Sequence, residues 1–247
     1  MNTLTICRGR DRSGKDEDFT DMTLKRGELI VIVGNTGSGK TRLIRDIEQL
    51  TTGESITSRT ILIDGKPVPP QEKHEMAVGL IAHLGQNMKF VLDISVEEFI
   101  ALHSECRQKD VDPLSFLNTV NSITLEPVKG ECNLSQLSGG QTRALMIADM
   151  AIICDSPIVL IDEIENAGID KKKVMDLLLG HDKLVLAVTH DPHTALMATR
   201  RIIMEGGGIK GIINRNAREE EIYLKLDEIY RESQRHQKIL KNGGNLE

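Results

Sequence analysis

The sequence predicts an α/β fold built on a mainly parallel sheet, and three observations carry the prediction. Apolar runs of strand length stand at 29–33, 59–63, 158–161 and 184–188, with helical patterns between them. That alternation is the mark of a parallel sheet covered on both faces by helices. A glycine-rich loop follows the first of these runs and opens the helical pattern 42–50. Between Asn87 and Leu134 the strand-like runs fade and helix starts replace them, which predicts a small helical insert rather than a second domain with its own core.

Composition bounds the possibilities before any motif is read. A chain of 247 residues can bury a sizeable interior without structural staples. Cys7, Cys106, Cys132 and Cys154 are widely spaced and form no C-x-x-C pair, which points to reduced thiols rather than a disulfide or zinc framework. The net charge of −6, with no dominant basic block, argues against nucleic acid as a partner. The opening residues Met1 to Arg8 lack a signal-peptide core, and no window reaches the ~18 uncharged apolar residues of a membrane span, so the chain is expected to be soluble.

The elements can be justified in chain order. After the run 29–33, Gly34-Asn35-Thr36-Gly37-Ser38-Gly39-Lys40-Thr41 reads G-x-x-x-x-G-K-T, a loop whose amides and following helix N-terminus cradle phosphates. In such a loop the lysine reaches the β and γ phosphates and the threonine hydroxyl reaches Mg²⁺. Within the insert, Ser95-Val96-Glu97-Glu98 is a capping box, and Asp112-Pro113 sets a capping acid before a proline at the first helical position. At its far end Leu137-Ser138-Gly139-Gly140-Gln141 joins a helix cap to two glycines, before the apolar-striped segment 144–153, and so builds an anion site on a helix N-terminus.

The next apolar run, 158–161, delivers Asp162 and Glu163 to the C-terminal edge of the sheet, where open α/β sheets bind their ligands. Two adjacent carboxylates permit two tasks: Asp162 to hold Mg²⁺ and Glu163 to polarise an attacking water. The run 201–204 is strand-like, and Gly206-Gly207-Gly208 marks a tight turn joining two short strands. From 217 to 241 the chain is highly charged, with Ile222, Leu226, Ile229 and Tyr230 near helical spacing, which predicts a C-terminal helix docked on its own domain along its first turns, with a partner-binding or dimer-contact helix as the alternative. The last residues, 242–247, are expected to fray.

These three motifs together resemble the ATP-binding cassette family, and the resemblance runs from about Leu24 to Gly211. It implies a phosphate-loop NTPase with N-terminal antiparallel strands before the parallel core, a cassette over 1–215 with a helical subdomain at about 87–154, and a charged helix and tail over 216–247. It implies two cassettes sandwiching two ATP molecules head to tail, so that Ser138, Gly139, Gly140 and Gln141 face the ATP held by the partner. A single set of motifs then implies a homodimer or a second cassette chain. Gln86 matches the glutamine that reaches Mg²⁺ and the attacking water, and His190 matches the histidine that bonds the γ-phosphate and orients Glu163.

The chain departs from the family pattern in three places. Where an aromatic ring would stack on adenine stand Cys7, Arg8, Gly9 and Arg10, so an arginine plane from Arg8 or Arg10 is the expected substitute. Phe19, the nearest aromatic, fits a core position of an early strand. Ile164 stands where proline commonly follows the glutamate, and the run from Glu165 to Asp170 is one residue longer, with Asp170 the candidate for the aspartate at the dimer junction. In the family the position after the signature glutamine is often basic or polar and is followed by further arginines; here Thr142 and Arg143 follow Gln141.

The resemblance implies Mg²⁺-dependent ATP hydrolysis coupled to a membrane permease, on the cytoplasmic face of a membrane through that partner. Met88, Phe90, Val91 and Leu92 offer apolar surface for such a subunit. The alternative is a soluble cassette that remodels a client protein such as a metalloenzyme, a direction in which the atypical junction and charged tail lean. A small-molecule kinase would lack the signature pentapeptide and His190. A pure nucleotide sensor would not need Lys40, Asp162, Glu163 and His190 together.

Overall fold

Among the described residues ten strands and eight α-helices form two sheets with helices packed between and around them. The structure, a computed structural model, describes residues 1–86, 88–166, 168–241 and 243–246, with only the backbone of Asn166. Asn87, Ala167, Asn242 and Glu247, which fall in the glutamine loop, the junction run and the tail named above, lie outside the described residues.

In chain order, β1 (Thr3–Ile6), β2 (Met22–Lys25) and β3 (Leu29–Val33) lead to α1 (Lys40–Glu48). Then come β4 (Ile61–Ile63), β5 (Lys66–Pro67), α2 (Lys73–Leu80) and β6 (Ile81–Leu84). The insert holds α3 (Val96–Cys106) and α4 (Pro113–Ile123), and α5 (Gly139–Ile152) returns the chain to β7 (Ile158–Asp162). The remainder is α6 (Lys171–Gly180), β8 (Leu184–Val188), α7 (Pro192–Met197), β9 (Arg200–Glu205), β10 (Gly208–Asn214) and α8 (Ala217–Lys241).

The six-stranded sheet has the order β10-β9-β3-β8-β7-β6, parallel throughout except for the β9–β10 hairpin turned at Gly206-Gly207. Its central strands are apolar at every position because both faces are covered. Val31, Val159, Ile161, Val185 and Ala187 face a cluster that includes Phe99, Phe116 and the buried residues of α5, so the insert shares its core with the sheet. Ile30, Ile32, Leu160, Leu184 and Leu186 face the other way, against Leu43 and Ile47 of α1 and the antiparallel sheet β2-β1-β4-β5. Phe19 is buried in this second cluster, in the loop before β2 rather than in a strand.

The helix starts follow the expected chemistry. Ser95 caps α3 in a full capping box with Glu98, and Asp112 caps α4 through the Ser115 amide at 2.8 Å with Pro113 behind it. One expected strand is shorter than its apolar run: β4 begins at Ile61, and Arg59 is instead a fully buried cation. Its guanidinium meets Asp46 of α1 at 2.7 Å and also pairs with Glu17, so the antiparallel sheet is locked to the helix behind the glycine-rich loop. Among the described residues no helix is long and apolar enough to cross a membrane.

Candidate functional site

The glycine-rich loop sits at the C-terminal end of β3, the third strand in from the hairpin edge of the six-stranded sheet. Gly39 caps α1 with φ 105°, and a Cβ there would come within 2.9–3.0 Å of the Gly207 backbone. Only glycine allows that approach, through which the Gly207 amide donates to the Ser38 carbonyl at 3.0 Å. The loop is thus held from behind by the β9–β10 turn. Arg12 holds it from the side, with its Nη2 donating to the Gly37 carbonyl at 3.1 Å and its amide to the Gly206 carbonyl at 2.9 Å.

Lys40 folds back over the loop, its ammonium donating to the carbonyls of Gly34 at 2.8 Å and Asn35 at 3.1 Å. Burial pulls its pKa below the ordinary lysine range, while the charges of Asp162 and Glu163 oppose that shift and keep an ammonium favourable. Ser38 Oγ is buried with no hydrogen-bond partner among the described residues, and Thr41 stands exposed in the first turn of α1. The loop therefore brings a cation and a helix N-terminus together, with the Ser38 hydroxyl buried. A cavity of about 340 Å³ lined by Gly34 to Ser38 opens there.

β7 carries Asp162 to the same edge of the sheet, two strands from β3. Glu163, the next residue, has φ 50°, a left-handed conformation that costs a non-glycine residue about 1 kcal/mol or more and clusters at working sites. The twist is held by the Glu163 amide, which donates to the Val188 carbonyl at 3.2 Å, and by the Gln86 side-chain amide, which donates to the Glu163 carboxylate. Gln86 and Glu163 are thus brought together. The Gln86 amide oxygen takes no part in that bond and is an acceptor by its chemistry.

The signature loop is a capped helix start. Ser138 is the N-cap of α5 in a capping box with Gln141, whose side-chain amide also donates to the Pro127 carbonyl at 2.8 Å. Arg143, just over one turn into α5 and 8% exposed, donates to the main-chain oxygens of Gln86 at 3.2 Å and Asp162 at 2.9 Å. One guanidinium therefore ties three separate motifs. Burial lowers the Arg143 pKa, and Asp162, Glu163 and Glu165 oppose that shift. Ser138, Gly139, Gly140, Gln86 and Arg143 line a second cavity, of about 780 Å³, which among the described residues shares none with the one at the phosphate loop.

The remaining expected residues are placed less directly. His190 follows β8, whose last residue Val188 bonds to Glu163, but its ring is exposed and makes no hydrogen bond among the described residues; its amide donates to Glu165 at 3.2 Å. Asp170 caps α6 and accepts from the Tyr230 hydroxyl of α8 at 3.2 Å. Arg10 pairs with Asp16 at 3.0 Å, and Arg8 lies 3.8 Å from Asp21, so neither arginine touches the phosphate loop. Arg12 does, and nothing in the charged stretch 8–17 sets it apart from Arg8 and Arg10 in the sequence.

A phosphate loop at the end of one strand, with paired carboxylates at the end of a strand two places along, defines a nucleoside-triphosphatase. A profile described as ABC transporter matches residues 18–166, well over half of the chain. An uncharacterized ABC transporter ATP-binding protein of Methanocaldococcus jannaschii is 48% identical over 233 residues, covering 93% of this chain and 88% of that protein. The chain belongs to the ABC transporter family and is an ATP-binding cassette ATPase.

The lipoprotein-releasing system ATP-binding protein of Buchnera aphidicola is 29% identical over 212 residues, 78% of this chain and 90% of that one. Against a macrolide export ATP-binding/permease protein of Campylobacter jejuni the chain is 27% identical over 83% of its length but spans only 33% of that protein. Among solved structures, a cassette captured as a dimer in a post-hydrolysis state with ADP and Pi has the same fold, with a TM-score of 0.63 at 22% identity over 86% of this chain and 99% of that one. The ATP-binding subunit of an ABC transporter gives 0.66 at 19% identity over 94% and 99%.

Proposed function

We propose that this chain is the ATP-binding subunit of an ABC transporter, hydrolysing Mg²⁺-ATP in a head-to-tail pair of cassettes. One observation carries the pairing: the phosphate loop and the signature loop line two cavities with none of the described residues in common. Neither surface encloses a nucleotide alone. A second cassette, most simply another copy, sets the Ser138 loop of one chain over the phosphate loop of the other. The solved relative that is a dimer supports this arrangement.

In this reading residues 34–41 bind the triphosphate, with Lys40 exchanging its two carbonyl partners for the β and γ phosphates. Ser138, Gly139, Gly140 and Gln141 close over it from the partner, and Asp170 meets the partner at the junction. The oxygen donors Thr41, Gln86 and Asp162 suit a hard divalent cation, which the Gln86 amide would meet through its oxygen because its nitrogen is engaged by Glu163. Bound Mg²⁺ supplies charge neutralisation at the β and γ phosphates.

Glu163, held in its twisted conformation, polarises the attacking water and receives its proton as the water oxygen bonds to the γ-phosphorus. The β–γ bridging P–O bond breaks and ADP leaves with both bonding electrons. His190 orients Glu163 and the γ-phosphate once the sandwich closes. Residues 1–215 form the cassette, with the insert 87–154 carrying the signature, and 216–247 form the C-terminal helix and tail.

For the membrane partner, the support is an apolar groove of about 390 Å³ within the insert, between α3 and α5, lined by Met88, Phe90, Leu92, Leu102 and Met146 among others. Beside it Val91 is 97% exposed, an uncovered apolar side chain that a permease segment would bury. Such a partner would hold the chain at the cytoplasmic face of a membrane.

The experiment is a pull-down with Glu163→Gln protein, ATP and Mg²⁺ from detergent-solubilised source cells. The expected result is no turnover, an ATP-dependent dimer, and a co-purifying multi-span membrane protein. Unchanged turnover removes Glu163 from its role, and a soluble enzyme as the sole partner overturns the transport reading.

A further inference from the structure

The signature serine already has an anionic partner inside its own chain. Ser138 Oγ donates to Glu126 Oε2 at 3.0 Å, and the other oxygen of Glu126 accepts from the Lys241 ammonium at 3.2 Å. Glu126 is the one carboxylate among the described residues lining the 780 Å³ cavity, whose other charged side chains are Lys89 and Arg143. A hydroxyl has one proton to give. A γ-phosphate from a second cassette, arriving at the N-terminus of α5, competes with Glu126 for that proton and for the same helix end.

Lys241 stands at the end of α8, and the rest of that helix is anchored on the elements beside the catalytic edge. The Tyr230 hydroxyl donates to Asp170 at 3.2 Å, and Asp227 pairs with Lys172 of α6 at 2.9 Å. His193 of α7 lies 4.8 Å from the Tyr230 ring and 5.7 Å from the Tyr223 ring, centroid to centroid. α8 thus touches α6, α7 and, through Lys241, the segment that caps the signature. This docking explains why a helix so rich in charge folds against the cassette, a feature that ATP hydrolysis by itself leaves unused.

We propose that Glu126 is a positioning residue that occupies Ser138 in the separate cassette, that the γ-phosphate of the opposing ATP must displace it, and that α8 holds it there through Lys241. The inference rests on the head-to-tail pairing proposed above. The hydrogen bonds from Lys241 and Ser138 hold the Glu126 carboxyl below the usual carboxylate range, so it is an anion when ATP arrives. Closure therefore exchanges one anion for another at Ser138. Glu126 raises the ATP concentration needed for pairing without touching the phosphate loop.

The test is the ATP concentration for half-maximal dimerisation of Glu163→Gln protein, read by light scattering, with and without Glu126→Gln. Removing the charge is expected to lower that concentration about three- to tenfold, and Glu126→Ala at least as far. Lys241→Ala moves it about twofold in the same direction, and not at all once Glu126 is already glutamine. Binding of a fluorescent ATP analogue to the monomer stays the same in every variant, which a general loss of structure would not allow. An unchanged or higher ATP requirement for Glu126→Gln overturns the proposal. Failure of the parent Glu163→Gln protein to dimerise with ATP at all overturns the pairing instead.

Discussion

Arg143 Nη2 donates to the main-chain oxygen of Asp162 at 2.9 Å, which fixes the signature helix to the strand end that carries the two carboxylates. The same guanidinium reaches the carbonyl of Gln86 at 3.2 Å, so a shift of the insert moves Gln86 and the carboxylates together. Arg143→Ala is expected to lower kcat at least about tenfold while changing ATP affinity at the phosphate loop less than about twofold. Arg143→Lys, with no planar fork to span two carbonyls, should recover only part of the loss. Steady-state kinetics beside a nucleotide titration checks this; a loss confined to affinity would place Arg143 outside the catalytic edge.

Arg12, not Arg10, braces the phosphate loop. Arg12→Ala removes the bond to the Gly37 carbonyl and should weaken ATP binding about three- to tenfold, in line with about 1 kcal/mol for a charge-assisted bond at a partly exposed site. Arg10, paired with Asp16 and exposed, should tolerate alanine with less than about a twofold change. The opposite ranking in a binding titration would favour the adenine-stacking place that the sequence suggests for Arg10.

Arg59 is fully buried between Asp46 and Glu17, and Thr57 also donates to Asp46 at 2.7 Å. Arg59→Ala leaves two carboxylates buried without their cation and should cost about 3–5 kcal/mol in denaturant unfolding. Arg59→Met, which restores volume but not charge, should remain clearly less stable than the parent, because the acids are still there. A triple replacement of Arg59, Asp46 and Glu17 by apolar residues should regain most of the loss. Equal stability of the parent and Arg59→Ala would show that the cluster contributes nothing net.

The four thiols should label in an order set by burial and charge. Cys106 is exposed and should react first with a maleimide probe. Burial, reinforced by Asp21, pushes the Cys7 thiol up to about 11, and burial with Asp149 also raises Cys154. Since the thiolate is the reacting form, at about pH 8 only about one Cys7 in a thousand is reactive, and its rate should climb roughly tenfold per pH unit until about 11. Mass spectrometry of partially labelled protein reads the order; a Cys7 rate that levels off near neutral pH would contradict the burial seen for it.

Much of the architecture was legible in the residues themselves. The runs Leu29–Val33 and Leu184–Val188 became strands with those bounds, because a strand buried on both faces must be apolar at every position. The capping boxes at Ser95 and Ser138 and the turn after β9 were equally readable, since each is decided by chemistry within a few residues. β6 was not legible: Ile81-Ala82-His83-Leu84 is short, contains His83, and is a strand only because β7 lies beside it. Arg59 extended an apolar run on paper and left the strand in space because two acids distant in sequence surround it.

The sequence by itself determined the chemistry of this protein: the phosphate loop, the paired carboxylates and the signature cap are each written in consecutive residues, whose spacing local backbone geometry converts directly into function. Only the tertiary structure decided the connections among them. Gln86 meets Glu163, Arg143 meets Asp162, Arg12 meets Gly37 and Lys241 meets Glu126 across separations of 19 to 115 residues. Such pairs leave no local periodicity to read. They exist because helices packed on both faces of one sheet bring these side chains within hydrogen-bonding reach, a global condition that no short window of sequence encodes.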